Sequence, residues 1–488
     1  MPQPHVRFER DPADVLRQLH ELRAQDVPTH GGRVLAYVYD PGVPAVDELA
    51  AEASRIALHV NGLDPTAFPS VARMEADLVR RARDLLGGDD EVVGSVTSGG
   101  TESCLLAVKT ARDAWRAAGG EGRAQLVLPV TAHPAFHKAA HYLDLEVVRV
   151  PVDGPTGAVT AAAVDSVLGP RVALVVVSAP SYPYGVLDPV AEVAGLAAAQ
   201  GIACHVDACI GGWVLPYTDV EQPWDLSLPG VTSLSVDLHK YGYVPKGASL
   251  LLHRGRDRAR LQSFALASWP GYAVVNPSML GSKPAAPLAA AWAVAEALGD
   301  SGYRALAGRA LAATARLVEV ARSIPGLRVV GEPAATLFAV TADQTVPVAE
   351  RVDPHHLADA ARARGWVIQP QPALQTSEGL LPRTAHLTVT AVTLDVVDEL
   401  AGALVAAADD VRGRVPASAD PGLMAAAAQL DPATLDAATA QALLGVAGLE
   451  SGGALPAELA PLMALIEQLP PGVTERLLTE YLARLIEP

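Results

Sequence analysis

From about residue 92 to residue 252 the chain alternates two patterns: short, mostly apolar runs, and stretches in which apolar residues recur every third or fourth position. Residues 126–128, 146–150, 172–177, 202–206, 232–236 and 248–252 read as strands, and 103–118, 136–142, 161–167 and 189–200 as the helices between them. Strands that are apolar throughout and alternate with helices predict an α/β fold around a mostly parallel sheet covered on both faces. Ligands of such sheets sit in the loops at the carboxyl ends of the strands.

The flanks read differently. Residues 11–25 place Val15, Leu16, Leu19 and Leu22 at helical spacing, 34–39 form a β-like run, and 46–58 and 71–86 are helical, separated by a turn-rich stretch from Asn61 to Ser70. So open an N-terminal arm needs another surface to lie on. Downstream, an alanine-rich helix (288–298) leads to a smaller α+β unit with helices at 303–323 and 354–364 and strands at 327–330, 336–341, 366–369 and 385–389. Beyond it lies a helical tail in which Leu478, Leu482 and Leu485 fall at i, i+4, i+7, one apolar face expected to pack on the body or on a partner subunit. Glu475, Glu480 and Glu487 beside it oppose a membrane-surface role. The expected organisation is an arm (1–55), a large domain (56–285), a smaller C-terminal domain (286–410) and a tail (411–488) with no functional account of its own.

Composition narrows the partners. The chain has 488 residues, 50% of them hydrophobic, ample for more than one packed unit, and its net charge of −17 argues against a nucleic-acid partner. Cys104, Cys204 and Cys209 are an odd number inside apolar runs, which reads as buried thiols in a reducing compartment rather than a disulfide framework. Met1-Pro2-Gln3-Pro4 opens a polar segment with no apolar signal region, and no stretch approaches ~20 uninterrupted apolar residues, so a cytoplasmic protein without a membrane span is expected.

Four groups carry chemistry. Lys240 stands in a tight loop, Asp237-Leu238-His239-Lys240-Tyr241-Gly242, between two strands, where desolvation would lower its pKa and make it an imine-forming nucleophile. Thr97-Ser98-Gly99-Gly100-Thr101-Glu102-Ser103 opens a helix with small residues and hydroxyls, a cup for a phosphate but not a nucleotide P-loop, since no Lys-Ser or Lys-Thr closes it. His133 follows a strand and can stack on a flat ring; His137 and His141 lack a carboxylate to complete a metal set, and no metal is expected. Asp207 ends the strand 202–206, where a buried carboxylate needs something cationic to meet it. Phosphate cup, stacking imidazole, buried carboxylate and imine-forming lysine together describe a site for pyridoxal 5'-phosphate.

These motifs, with Tyr184-Gly185-Val186-Leu187-Asp188-Pro189 and His205-Val206-Asp207-Ala208-Cys209-Ile210-Gly211-Gly212, resemble those of the sphingosine-1-phosphate lyases and their bacterial relatives, a branch of the fold-type-I pyridoxal-phosphate enzymes that also holds the group II amino-acid decarboxylases. The resemblance covers about residues 30–400. It implies an aspartate-aminotransferase-like fold and a homodimer with shared active sites. It assigns Lys240 to the Schiff base, Asp207 to the pyridinium nitrogen, His133 to ring stacking, and Gly99, Gly100, Thr101 and His239 to the phosphate. It also implies that Gly281-Ser282 reaches the partner subunit's cofactor, that Tyr39 and Asn61 are catalytic or phosphate-contacting, and that Lys246 binds a substrate phosphate. The sequence departs from the pattern at Asp64, where lyases tend to have His; at Lys283 and Ala285, where Arg and Gly are usual; and at Arg383, which could hold an α-carboxylate bidentately.

Retro-aldol cleavage of a phosphorylated amino alcohol is the leading expectation, with a proton taken by Tyr39 or by a cofactor phosphate oxygen. Amino-acid α-decarboxylation is the alternative. Transamination and a cofactor-binding protein without turnover are weaker readings.

Overall fold

The computed structural model describes residues 8–446, 448–449 and 456–487; the polar opening Met1-Pro2-Gln3-Pro4 lies outside them. Three helices lead in, α1 (Pro12–Arg23), α2 (Pro44–Ile56) and α3 (Pro69–Leu85), each with proline at its start, where a missing N–H costs nothing. The large unit then runs β1 (Val92–Thr97), α4 (Gly100–Ala117), β2 (Gln125–Pro129), α5 (Pro134–Leu143), β3 (Glu146–Val150), α6 (Ala161–Asp165), β4 (Val172–Ser178), α7 (Val190–Ala199), β5 (Ala203–Asp207), β6 (Ser233–Val236), β7 (Ser249–Arg254) and α8 (Arg256–Arg260). A hairpin, β8 (Phe264–Leu266) and β9 (Val274–Asn276), precedes the long helix α9 (Ala286–Ser323), which bends at Gly299.

The seven strands order as β1-β7-β6-β5-β4-β2-β3, with β7 antiparallel to both its neighbours and the rest parallel. Helices cover both faces, as the uniformly apolar runs require; all seven residues of β4 are buried. β1 is absent from the expected strands because Gly94 and Ser95 interrupt its apolar run. The structure explains the glycine: a Cβ there would sit 2.6 Å from the Leu251 carbonyl of β7.

The smaller unit comprises β10 (Leu327–Val329), β11 (Leu337–Ala342), α10 (Pro354–Ala363), β12 (Gln369–Gln371), the hairpin β13 (Leu374–Thr376) and β14 (Gly379–Leu381), β15 (Thr384–Thr388) and α11 (Val397–Val411). The run 34–39 makes a single parallel bridge, Val34 to Val367, before Tyr37 enters the left-handed region (φ 64°) and turns the chain out of strand geometry. Leu35 thereby joins the core of the smaller unit, fully buried.

The tail forms α12 (Pro421–Ala427), α13 (Ala437–Val446), α14 (Ala460–Gln468) and α15 (Pro471–Ile486) around its own small core. Val473 and Leu477 face that core, whereas Leu478, Leu482 and Leu485 are exposed, so of the two expected packings the one on the chain's own body is not made. The apolar face of α1 is likewise open, with no buried residue on that helix. Among the described residues no helix is long and apolar enough to cross a membrane.

Candidate active site

The loops that follow β1, β2, β4, β5 and β6 converge on one edge of the sheet and enclose a cavity of about 660 Å³. Gly99, Gly100 and Thr101 come from the β1–α4 turn, His133 from the β2–α5 loop, Asp207 from the tip of β5, and His239, Lys240 and Lys246 from the β6–β7 loop; Tyr39 enters from the N-terminal arm.

Lys240 Nζ lies 2.9 Å from Asp237 Oδ2, and the Asp237 side chain is buried. Burial alone pushes the Lys240 ammonium down, as the sequence suggests, but Asp237 above all, with Tyr39, Cys209 and Asp207, holds it well above its ordinary value. Before any cofactor is held, Lys240 is therefore a paired ammonium, which corrects the expectation of a neutral, desolvated amine. Asp237 has the matching asymmetry: burial works against its charge, yet Lys240, His239 and Ser249 keep its carboxyl well below the usual range. Its Oδ1 has no hydrogen-bond partner among the described residues. His239 is fixed by two N–H groups, of Gly247 and Ala248, each 3.3 Å from its Nδ1, so Nε2 bears the hydrogen and faces Asp237 Oδ2 at 3.6 Å.

Gly100 begins an 18-residue helix whose N-terminus opens on the cavity, a favourable place for an anion. A Cβ at Gly100 would lie 2.8 and 2.9 Å from the Asp237 oxygens and 3.0 Å from Cys209 Sγ, so only glycine lets the backbone sit this close. The hydroxyls play a different part from the one expected. Thr97 bonds Ser103 at 2.6 Å, Ser103 bonds Ser249 at 3.0 Å, and Ser98 gives both its N–H and its O–H to Glu102, while Thr101 lines the cavity. Glu102 also accepts the Met279 N–H, tying the cup to the segment after β9.

His133 caps α5, its Nδ1 accepting the Ala135 N–H at 3.2 Å, which fixes the plane of a ring open to the cavity. Burial pushes its pKa down, so the imidazole is neutral and suited to stacking. Asp207 accepts one hydrogen bond, from the Cys209 N–H at 3.1 Å, and its second oxygen has no donor among the described residues. Lys246 donates to the His239 carbonyl at 2.9 Å and stands 4.6 Å from the centre of the Tyr39 ring. Burial, reinforced by the charge of Lys240, brings its pKa down to about 8. Burial raises the Tyr39 phenol, and Lys240 offsets this only in part, so at neutral pH Tyr39 holds its proton and is an acid before it is a base.

The remaining candidates lie outside this cavity. Asn61 binds the main-chain N–H of Leu63 and of Lys283 and approaches Ser282 Oγ at 3.4 Å, so Asn61, Gly281 and Ser282 form one surface unit. Asp64 is exposed and closes its own turn onto Thr66 and Ala67. Arg383 is the clearest correction: it is paired with Asp353 at 3.2 Å and with Glu467 of α14, and so holds the tail rather than a substrate carboxylate. Two cavity residues escaped sequence reasoning: Tyr182 donates to Gln369 Oε1 at 2.6 Å across 187 positions and stacks on His386 at 4.4 Å. Only folding brings them together. Asp237, by contrast, lay three residues before Lys240, close enough to be suspected.

A phosphorylated pyridine aldehyde fits these residues: a helix N-terminus and a side-chain-free glycine for the phosphate, an open imidazole for the ring, a carboxylate with a free oxygen for the ring nitrogen, and a lysine for the aldehyde. Comparisons with known proteins agree. Residues 36–269 match the family described as "Pyridoxal-dependent decarboxylase conserved domain", and residues 421–484 match "Pyridoxal-dependent enzyme, C-terminal putative HTH domain". The chain is 36% identical over 335 residues to a sphingosine-1-phosphate lyase of Dictyostelium discoideum, covering 68% of this chain and 60% of the relative, so it spans less than two thirds of that protein's length. It is 34% identical over 409 residues to that of Oryza sativa subsp. japonica, covering 82% of this chain and 73% of the relative. A solved structure titled as a sphingosine-1-phosphate lyase of Burkholderia pseudomallei superposes with a TM-score of 0.76 at 32% identity, over 84% of this chain and 93% of that one.

Proposed function

The chain belongs to the sphingosine-1-phosphate lyase family of pyridoxal-dependent enzymes, and on that premise we propose that it is a carbon–carbon lyase that cleaves a phosphorylated amino alcohol by retro-aldol chemistry. Pyridoxal phosphate, the cofactor of this family, supplies the electron sink for the carbon beside the substrate amine. When the cofactor is bound, Lys240 would hold its aldehyde, Asp207 would keep the ring nitrogen protonated, His133 would pack on the ring, and the Gly99-Gly100-Thr101 turn with His239 would receive the phosphate. Tyr39 Oη holds a proton at the cavity wall, and Lys246 Nζ, with a pKa of about 8, exchanges one near neutral pH.

The observation that carries the reading is Lys246: a second cation in the cavity, with no carboxylate partner among the described residues, beside the tyrosine and bonded to the His239 carbonyl. A substrate phosphate answers that vacancy of charge. The arginine that would favour α-decarboxylation is committed to Asp353 and Glu467.

The working unit is a homodimer in this proposal. The open face of α1, the exposed Trp269 and Tyr272, and the Asn61–Ser282 unit outside its own chain's cavity all support a second copy whose site that unit completes. A cytoplasmic location fits three buried free thiols. The tail segment 421–484 carries two arginines against seven carboxylates, which supports a structural role over nucleic-acid binding. The test is a product assay: a phosphorylated long-chain amino alcohol should give an aldehyde and phosphoethanolamine, whereas carbon dioxide from a panel of amino acids would overturn the assignment.

A further inference from the structure

We propose that Cys104, Asp207 and Cys209 form a binding site for a thiophilic divalent cation, available when the cofactor is absent. One donor atom from each residue lies within 4.8 Å of the other two, and all three residues are buried. They are held by rigid elements. Cys104 sits in the first turns of α4, Asp207 ends β5, and Cys209 stands in the turn that follows, its N–H bonded to Asp207 Oδ1.

The donor set selects the cation. Two sulfurs and one carboxylate oxygen suit zinc or cadmium over magnesium or calcium, which take oxygen ligands. All three residues line the 660 Å³ cavity, so a fourth position remains for water, the arrangement of an accessible rather than a closed structural site. Ser235 Oγ lies 3.3 Å from Cys209 Sγ and would orient that ligand. Binding releases the two thiol protons as both sulfurs become thiolates, and no electron transfer is involved. The neighbouring Lys240 and Asp237 are paired with each other and add little net charge. The third thiol, Cys204, is buried in the main core and is not part of this group.

The proposal rests on the reading of Asp207 as the partner of the cofactor ring, since that makes occupancy by cation and cofactor exclusive. The floor of the cavity is then either a cofactor seat or a metal seat, and a soft cation should hold the chain in an inactive, cofactor-free form.

The experiment uses the full chain freed of cofactor and titrated with cadmium, read by the ultraviolet thiolate-to-cadmium charge-transfer band. Wild type should develop the band, Cys104→Ala and Cys209→Ala should each lose most of it and bind cadmium at least ~10-fold more weakly, and prior saturation with pyridoxal phosphate should prevent it. An unchanged band in both variants, or equal cadmium affinity with the cofactor bound, overturns the proposal. Visible absorption on adding pyridoxal phosphate reports folding of each variant. Should a variant fail to fold, cadmium must slow alkylation of Cys104 and Cys209 in wild type as read by mass spectrometry, and no slowing refutes the site. If pyridoxal phosphate gives no visible absorption with wild type, the cofactor reading falls while the cadmium titration still judges the cation site.

Discussion

Arg383 and Glu467 make the most exacting test, because the same arginine was a candidate substrate ligand. Glu467, with its side chain 6% exposed, accepts from Arg383 and, at 2.9 Å, from the Ala373 N–H that precedes β13. Its helix α14 is seated at the other end by Asp359, whose carboxylate receives the Leu459 and Ala460 N–H groups at 2.7 and 2.9 Å. Removing one partner of a buried ion pair costs ~3–5 kcal/mol when the other charge is stranded. Arg383 keeps Asp353 at 3.2 Å, so Glu467→Ala belongs at the low end. The orphaned Ala373 N–H adds ~1 kcal/mol. A loss of about 3–4 kcal/mol in tail docking, ~100-fold or more in the docked population, is expected. Glu467→Gln, which keeps the shape and an acceptor, should lose about half as much. Hydrogen exchange over residues 460–486 measures the docking directly, and Arg383→Met should loosen the same segment. Both variants should keep the visible absorption of bound cofactor, since neither residue lines the cavity. Unchanged protection of 460–486 in Glu467→Ala would refute the latch. So would an Arg383→Met enzyme with a raised KM and a fully protected tail.

Three further outcomes follow from the same geometry. Lys246 has a pKa of about 8 when folded and ~10.4 when unfolded, so the unfolded chain binds more protons between those values and stability should rise with pH across that window; Lys246→Met should flatten the rise in urea midpoints, and equal slopes would count against the burial argument. Gly100→Ala places a Cβ 2.8 Å from Asp237 and should weaken pyridoxal phosphate by ~10-fold or more in an absorption titration, an unchanged Kd arguing against a cup there. Leu16→Glu with Leu19→Glu on the open face of α1 should raise the dissociation constant of the proposed dimer ~100-fold or more by light scattering, and an unaltered mass distribution would remove that face from the proposed interface.

How much of this was legible in the sequence depends on the range over which each property is decided. Strand and helix alternation from residue 125 to residue 254 could be read because burial on both faces writes itself into every position of a strand such as β4. The seats of Lys240, Asp207 and His133 were legible for a related reason: each stands where a strand ends and the chain must turn. The protonation of Lys240 was not, although Asp237 is only three residues away. Burial and a carboxylate act in opposite directions, and at 2.9 Å inside a low-dielectric site the pairing prevails, a result only a distance can supply. On α15 two apolar stripes compete, and neighbouring tail helices choose Val473 and Leu477 over Leu478 and Leu482. Arg383 found its partner 84 positions on, in a tail the motifs did not cover.

The Asn61 and Gly281–Ser282 segments carry this one step further, since a motif names a residue without naming the subunit whose site it serves. Gly62 N–H donates to the Lys283 carbonyl at 2.8 Å, and Asn61 Oδ1 accepts from the Lys283 N–H, so the two loops are a single mechanical unit outside their own chain's cavity. Replacing Asn61 therefore displaces Ser282 as well. A loss of cofactor in Asn61→Ala cannot by itself assign a contact to Asn61. Mixed dimers, in which a chain carrying Asn61→Ala is paired with one carrying Lys240→Ala, separate the cases. If the unit serves the partner's cavity, the intact Lys240 of the Asn61→Ala chain meets the intact Asn61 of the Lys240→Ala chain, both defects fall on the other site, and mixing the two impaired homodimers restores activity at one site of the pair. If the unit serves its own chain, both sites in the mixed dimer carry one defect, and the Asn61→Ala chain keeps only the residual activity of its homodimer. Activity that rises on mixing therefore assigns the unit to the partner's cavity, and activity that never exceeds that of the Asn61→Ala homodimer assigns it to its own chain.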